Sequence, residues 1–347
     1  MPLNKHFCYI RFMILVTGGT GLVGSHLLYQ LSLEKDAIKA IHRKNSNLNA
    51  VKNVFSYFSE DYENLFNKIQ WVEADITDVI ALEKAFKNIT EVYHSAALVS
   101  FNPKDYNKLR KINIEGTANI VNLCIENTIK KLCFVSSIAA IGKSINSDFI
   151  TETNEWDIEK SNYGYAISKY GAEIEVWRAS QEGIPVVIVN PGVILGAGFW
   201  NTGSGKIFSK IYNGFNFYSE GITGYVSVND VVKAMVLLMK SPIKNERFIL
   251  VAENKSYQEI FNEIALKFNK KKPTIKITTF MSEVGWRLEK VKSFLTKKPP
   301  LLTKHSSKSI HQKRYFSSEK IKNTLDFKFE PVAKSIHNIC KLYLKDI

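Results

Sequence analysis

The 347-residue chain holds only four cysteines, Cys8, Cys124, Cys133 and Cys340, with no Cys-x-x-Cys pair and no clustered histidines beside them. Disulfide frameworks and structural zinc sites need paired ligands at fixed spacing, so neither is expected, no metal is implied, and the thiols read as reduced and mostly buried. No apolar run reaches the roughly 18 residues that span a bilayer, so no transmembrane segment is expected. The longest near-apolar stretch, 184–200, is broken by Asn190, Pro185, Pro191 and four glycines or alanines. A cleavable leader is not legible either, because Lys5, His6 and Arg11 interrupt the N-terminal apolar residues. Solenoid repeats and low-complexity segments are missing too. These absences point to a soluble, cytoplasmic protein.

Acidic residues are also scarce, 33 against 47 Lys and Arg, for a formal net charge of +14. The excess is concentrated late: residues 251–347 carry 21 Lys and Arg against 9 Asp and Glu. Such an excess can serve nucleic acid or an anionic membrane. No Arg-rich groove signature or aromatic interleaving accompanies it, and Lys, Asn and Ile are abundant throughout, so no nucleic-acid partner is expected. The rest is ordinary for a globular chain, 45% hydrophobic and 23% charged, long enough for one large domain or two of usual size.

Residues 1–12 read as an appendage, and Met13-Ile-Leu-Val opens the first buried strand. Short apolar runs follow at 37–42, 71–74, 91–95, 132–136 and 186–190, separated by helical patterns at 79–87, 106–127 and 163–181. Repeated β-α-β units with apolar strands predict an α/β fold with a doubly wound parallel sheet covered on both faces. Residues 13–190 are expected to form this Rossmann domain, and 191–347 mainly a smaller C-terminal substrate-binding lid, with some segments returning to the core. Eight glycines between 192 and 224, interleaved with Phe199, Trp200, Phe215, Phe217 and Tyr218, read as loops. The lid aromatics suggest either a partly apolar substrate or a packed core. Around Trp286–Lys298 an apolar stripe with adjoining cations reads as a lid helix over the substrate, with peripheral membrane binding as the alternative.

The segment Thr17-Gly-Gly-Thr-Gly-Leu-Val-Gly24 lies directly between the first strand and the first helix. Gly18 permits the tight turn, Gly21 lets the backbone approach a pyrophosphate, and Gly24 lets helix and strand pack closely. Thr20, Leu22 and Val23 complete the turn and the helix start, whose N–H groups and dipole attract an anion. The second strand ends Ala40-Ile-His-Arg-Lys44 with no carboxylate to hold a ribose 2′-hydroxyl. Arg43 and Lys44 there favour the 2′-phosphate of NADP over NAD.

Tyr165 and Lys169 fall four apart on one helical face. A phenol near pKa 10 is a weak acid–base catalyst at neutral pH, and an adjacent ammonium would draw it toward the working range. Ser136 and Ser137 end a strand, where ligands of open α/β sheets lie. Together these motifs resemble the extended short-chain dehydrogenase/reductases of the NAD-dependent epimerase/dehydratase superfamily, over residues 13–345. The resemblance implies Ser137, Tyr165 and Lys169 as catalytic residues. It further implies Asp75 and Ile76 by the adenine, and Ala96 and Ala97 with His94 beside the cofactor. Ser136 and Pro191-Gly192-Val193 would lie near the nicotinamide, with Asn113 structural. A homodimer through the helices of Tyr165 and Asn113 is a further implication.

Within that superfamily, dehydratases carry an acid after the catalytic serine, whereas Ile138-Ala139-Ala140 follows here. The arginine that nucleotide-sugar enzymes place near this chain's 221–230 is missing. The segment Asn190-Pro-Gly-Val-Ile-Leu-Gly196 resembles the branch of dihydroflavonol reductase and 3β-hydroxysteroid dehydrogenase. The expectation is therefore hydride transfer between NADP(H) and a small-molecule carbonyl or alcohol. An epimerase acting on a sugar or nucleotide sugar is one alternative, and a non-catalytic dinucleotide-binding sensor or scaffold is another.

Overall fold

A computed structural model describes residues 13–35, 37–142, 148–157, 163–296, 300 and 302–347; the appendage expected at 1–12 lies outside the described residues. Seven short strands build the main sheet: β1 (Met13–Thr17), β2 (Ile38–His42), β3 (Ile69–Glu73), β4 (Ile89–His94), β5 (Lys131–Val135), β6 (Val186–Pro191) and β7 (Glu246–Leu250). Their spatial order is β7-β6-β5-β4-β1-β2-β3 and every pairing is parallel.

Alternation along the strands explains why they are apolar throughout. Ile14 and Val16 pack with Leu27, Leu28 and Leu31 of helix Leu22–Glu34 and with Met235 and Leu238 of helix Val228–Lys240. Leu15 points the other way, into a layer with Ile120, Val121, Ala172 and Val176 from helices Gly116–Glu126 and Gly164–Gln181. Cys133 and Val135 likewise oppose Leu132 and Phe134. Each buried Leu or Val side chain contributes about 1.5–3 kcal/mol, so neither face tolerates a polar stripe. The chain leaves the sheet in opposite directions from β1 and β4, and the crevice at that switch point faces the carboxyl ends of the strands.

Two expectations are corrected. Residues 192–224 are not simply loops: they hold strand Val193–Leu195, helix Gly205–Tyr212 and strand Ile222–Ser227. Phe208 and Ile211 bury one face of that helix in a second core with Tyr225, Ile260, Ile264, Val332, Ile336 and Tyr343. Several of the segment's glycines serve close packing; a Cβ on Gly205 would lie 2.1 Å from the Phe199 carbonyl oxygen. The apolar stripe expected to cover substrate belongs to helix Thr279–Thr296, in which only Ser282 is buried. That helix touches helix Lys304–Ser309 with its polar side and turns the stripe outward.

Candidate active site

Gly18 has φ +71°, and a Cβ there would lie 2.6 Å from the Ala96 nitrogen. At Gly24 a Cβ would meet the Gly18 carbonyl oxygen at 2.1 Å. The turn is thus closed to side chains at Gly18 and Gly24 and fastened by Gly21 N–H donating to Gly18 O at 3.0 Å. Helix Leu22–Glu34 starts from Gly21 with no side-chain cap and no acid in its first turn, so the amides around Leu22, Val23 and Gly24 offer an anion site.

A cavity of about 220 Å³ opens beside this turn. It gathers Gly18, Thr20, Gly21, Arg43, Asp75, Ile76, Ala96 and Ala97, eight of the residues marked in the sequence. His42, Ser46, Leu98 and Ile112 also line it and were not anticipated. Ser46 is the informative omission: its Oγ accepts from the Arg43 backbone N–H at 3.1 Å and from the Thr20 hydroxyl at 3.4 Å. Its only signal was its place three residues past Arg43 in a strand-to-helix loop. Arg43 and Lys44 share a neighbouring groove of about 470 Å³ with Glu73, Asp75 and Asp78. One oxygen of Asp75 accepts from the Thr77 N–H and hydroxyl at 2.9 and 2.8 Å.

Below the cavity a directional hydrogen-bond chain fixes the strand ends. Thr117 donates to the Asn113 carbonyl at 2.6 Å, so its Oγ1 accepts from His94 Nε2 at 2.9 Å. His94 Nδ1 then accepts from the Thr17 hydroxyl at 2.6 Å, and Thr17 Oγ1 accepts from the Ala96 N–H at 3.3 Å. Burial pulls His94 down to about 3, which keeps the ring neutral for this role. Asn113, inside the π-turn Arg110–Glu115, clamps Leu98 through its N–H (2.7 Å) and carbonyl (2.9 Å) and donates to Ser168 Oγ at 2.9 Å.

Ser137 follows β5, its Oγ accepting from the Ala139 N–H at 3.1 Å. Burial raises Tyr165 above the ordinary phenol value, with the nearby Ser137 hydroxyl pulling the other way. Lys169, 2% exposed, donates to the Val135 carbonyl at 2.7 Å and lies 4.4 Å above the Phe134 ring. Burial brings Lys169 down to about 7 against the opposing charge of Glu173. Here the structure departs from expectation. Both groups are desolvated, so Tyr165 is pushed up rather than drawn down, and the ammonium is occupied by a backbone carbonyl.

The two serines separate cleanly. Ser136 donates to Glu173 at 2.6 Å and is buried away from Tyr165. Glu173 also accepts from Asn190 Nδ2 at 2.8 Å and from Arg247 at 2.9 Å. Asn190 Nδ2 reaches the Ser137 carbonyl at 3.1 Å, tying the β6 end that carries Pro191, Gly192 and Val193 to the Ser137 turn. Those three residues, like Ser136, Ser137, Tyr165 and Lys169, line neither the cavity beside the glycine turn nor the larger one on the Tyr163 side.

A larger cavity of about 750 Å³ lies on the Tyr163 side. Phe101, Tyr106, Trp156 and Tyr163 form aromatic walls; Lys304, Lys308, Arg314 and Asp157 supply charge. Phe101 connects it to the site, its ring 5.7 Å from that of Tyr165 and 6.2 Å from that of Tyr163. None of Phe199, Trp200, Phe217 or Tyr218 lines it. Trp200 instead packs on Phe208 and Tyr343 and donates to Asp346 at 2.7 Å.

A strand-end glycine turn at the N-terminus of a helix and a cavity at the switch point of a parallel sheet define a dinucleotide-binding α/β protein. The chain belongs to the NAD dependent epimerase/dehydratase family, whose pattern matches residues 14–251. It is an NAD(P)-dependent enzyme of the extended short-chain dehydrogenase/reductase type. A Synechocystis sp. protein provisionally named dihydroflavonol 4-reductase is 29% identical over 76% of this chain and 75% of its own. Tetraketide alpha-pyrone reductase 2 of Arabidopsis thaliana is 26% identical over 73% of this chain and 82% of its own. The crystal structure of gox2253 superposes with a TM-score of 0.79 at 24% identity, covering 96% of this chain and 98% of that one.

Proposed function

We propose that the protein reduces a carbonyl group of a partly apolar small molecule with NADPH, using Ser137, Tyr165 and Lys169. The observation that carries this reading is buried Tyr165, its ring 5.7 Å from that of Phe101, which lines an aromatic cavity of about 750 Å³. The cofactor suits the residues present: the turn has no room for side chains at Gly18 and Gly24 and leaves first-turn amides for a pyrophosphate. Asp75 and Ile76 would flank the adenine, Ala96 and Ala97 the ribose side, and Pro191-Gly192-Val193 the nicotinamide end. When bound, the nicotinamide supplies a hydride.

The chain's own groups do the rest. Ser137 and Tyr165 donate hydrogen bonds to the substrate carbonyl oxygen, and Tyr165 gives its proton as negative charge develops there. Burial keeps the phenol protonated at neutral pH, as the reduction direction requires. Lys169 lies one turn further along the same helix, where it would hold the nicotinamide ribose. Residues Ile138, Ala139 and Ala140 offer no acid to a leaving hydroxyl, which disfavours dehydration. The named reductases among the relatives support reduction.

Arg43 and Lys44, with Ser46, favour NADPH. A charge-assisted bond is worth about 1.5–3 kcal/mol, so Arg43→Ala should weaken NADPH binding by about 10–100-fold and leave NADH affinity nearly unchanged. Fluorescence titration with both nucleotides measures this; equal losses for the two would place Arg43 outside the selectivity determinant.

One observation favours a second reading. Lys304, Lys308 and Arg314 face the large cavity and would suit a sugar diphosphate, and a Vibrio cholerae UDP-glucose 4-epimerase is 27% identical. Absorbance at 340 nm with NADPH and a panel of aromatic aldehydes and ketones, run beside UDP-glucose with epimer detection, separates the two. Net NADPH consumption supports reduction, and epimer formation without it supports the second reading.

A further inference from the structure

Helix Thr279–Thr296 departs from every other long helix of the described chain. Phe280 is 78% exposed, Leu288 65%, Val291 58%, Phe294 78% and Leu295 74%, with Met281 and Val284 at 40%. At 3.6 residues per turn these seven fall within an arc of roughly 140°. The opposite side is fastened: Ser282 Oγ bonds His311 Nε2 at 2.9 Å, and Gly285 backs onto Leu302. The helix is thus held by one face while it presents to water a large apolar face, interrupted only by Arg287, which folds back on Glu283; a soluble surface rarely shows such a face.

The charge around that stripe is of one sign. Residues 270–298 contain nine Lys or Arg and two Glu. Both acids are taken up within the helix, Glu283 by Arg287 at 2.7 Å and Glu289 by Lys292 at 3.5 Å. Lys290, on the border of the stripe, has no ion pair among the described residues. No described helix is long and apolar enough to cross a membrane. An apolar face flanked by cations on a helix that cannot span is the pattern of interfacial insertion.

We propose that this helix docks the protein on an anionic phospholipid bilayer, burying Phe280, Leu288, Val291, Phe294 and Leu295 among the acyl chains with the flanking cations at the headgroups. A second copy of the chain fits less well, because two such helices would bring like-charged flanks together. The docked helix packs against helix Lys304–Ser309, whose Lys304 and Lys308 line the large cavity. Docking therefore brings the mouth of that cavity near the lipid, where an apolar carbonyl compound is concentrated. The docking itself stands apart from the catalytic reading and is tested without turnover.

The test is co-sedimentation of the full chain with vesicles of phosphatidylcholine plus phosphatidylglycerol, and with phosphatidylcholine alone. The variant Leu288→Asp/Phe294→Asp alters two exposed side chains, and circular dichroism with a melting curve checks that it folds. Wild type should partition into mixed vesicles, less so in high salt or without the anionic lipid, and the double variant should lose more than about tenfold in partitioning. Wild type staying in the supernatant with mixed vesicles, or a folded double variant binding equally, overturns the proposal. Sedimentation velocity showing a dimer that the double variant abolishes, with no vesicle binding, would assign the face to a second copy instead.

Discussion

At the residue scale, the proposed chemistry rests on groups held out of water. Tyr165 and Lys169 were legible from their spacing, because two positions four apart must share a helix face. Their environment was not, since desolvation comes from strands and loops far away in sequence. Lys169 titrates at about 7 in the folded chain against 10.5 for an ordinary lysine. Between those pH values the unfolded chain binds the extra proton, so this residue makes stability rise with pH across that window; below it the burial penalty is full. Lys169→Met should therefore stabilise the protein relative to wild type at pH 6, with the gain shrinking toward pH 10. Urea midpoints at several pH values read this, and a pH-independent difference would contradict it. Gly24 is equally exacting. A Cβ 2.1 Å from Gly18 O forces the turn apart, so Gly24→Ala should lose NADPH binding by at least about tenfold in a fluorescence titration. Ser136 and Ser137 could be told apart only by surroundings: Ser136 donates to Glu173, whereas the Ser137 hydroxyl lies near enough to Tyr165 to pull its pKa down against burial.

At the element scale, strand and helix positions were legible because each strand needs two apolar faces and each helix one. Local periodicity marks a face but does not name what covers it. That is why residues 192–224 read as loops although Phe208 and Ile211 anchor a helix, and why the stripe around Trp286–Lys298 read as a lid. It is also why Arg247 went unnoticed. Its guanidinium comes from β7, meets Glu173 on helix Gly164–Gln181 at 2.9 Å, and donates to the Glu152 carbonyl. Glu173 is 1% exposed and Arg247 19% on the side-chain scale. Removing one member of such a pair strands a buried charge and costs about 3–5 kcal/mol. Arg247→Met should lower stability by about that much in urea unfolding, and slow turnover further because Glu173 and Asn190 together brace the Ser137 turn. A loss below about 1 kcal/mol would show that the pair is solvated.

At the scale of the whole molecule, the sheet supplies a rigid edge on which six strand ends converge, with one cavity at the glycine turn and a larger one that Phe101 links to Tyr165. The smaller was largely legible, since eight of its lining residues sit in short motifs after strands. The larger was not, because Phe101, Trp156 and Arg314 reach it from three distant segments. Ligand binding should be felt globally. NADPH at about 100 times its Kd adds about 2.7 kcal/mol to the folded state, which should raise Tm by several degrees. Differential scanning fluorimetry of wild type and Gly24→Ala compares them, and only wild type should respond. The most direct test of hydride transfer through Tyr165 is NADPH consumption by Tyr165→Phe, measured with its NADPH affinity. The account predicts a rate reduced by at least about 10²–10⁴-fold with affinity within about threefold of wild type. Turnover retained in that variant would contradict the role assigned to Tyr165.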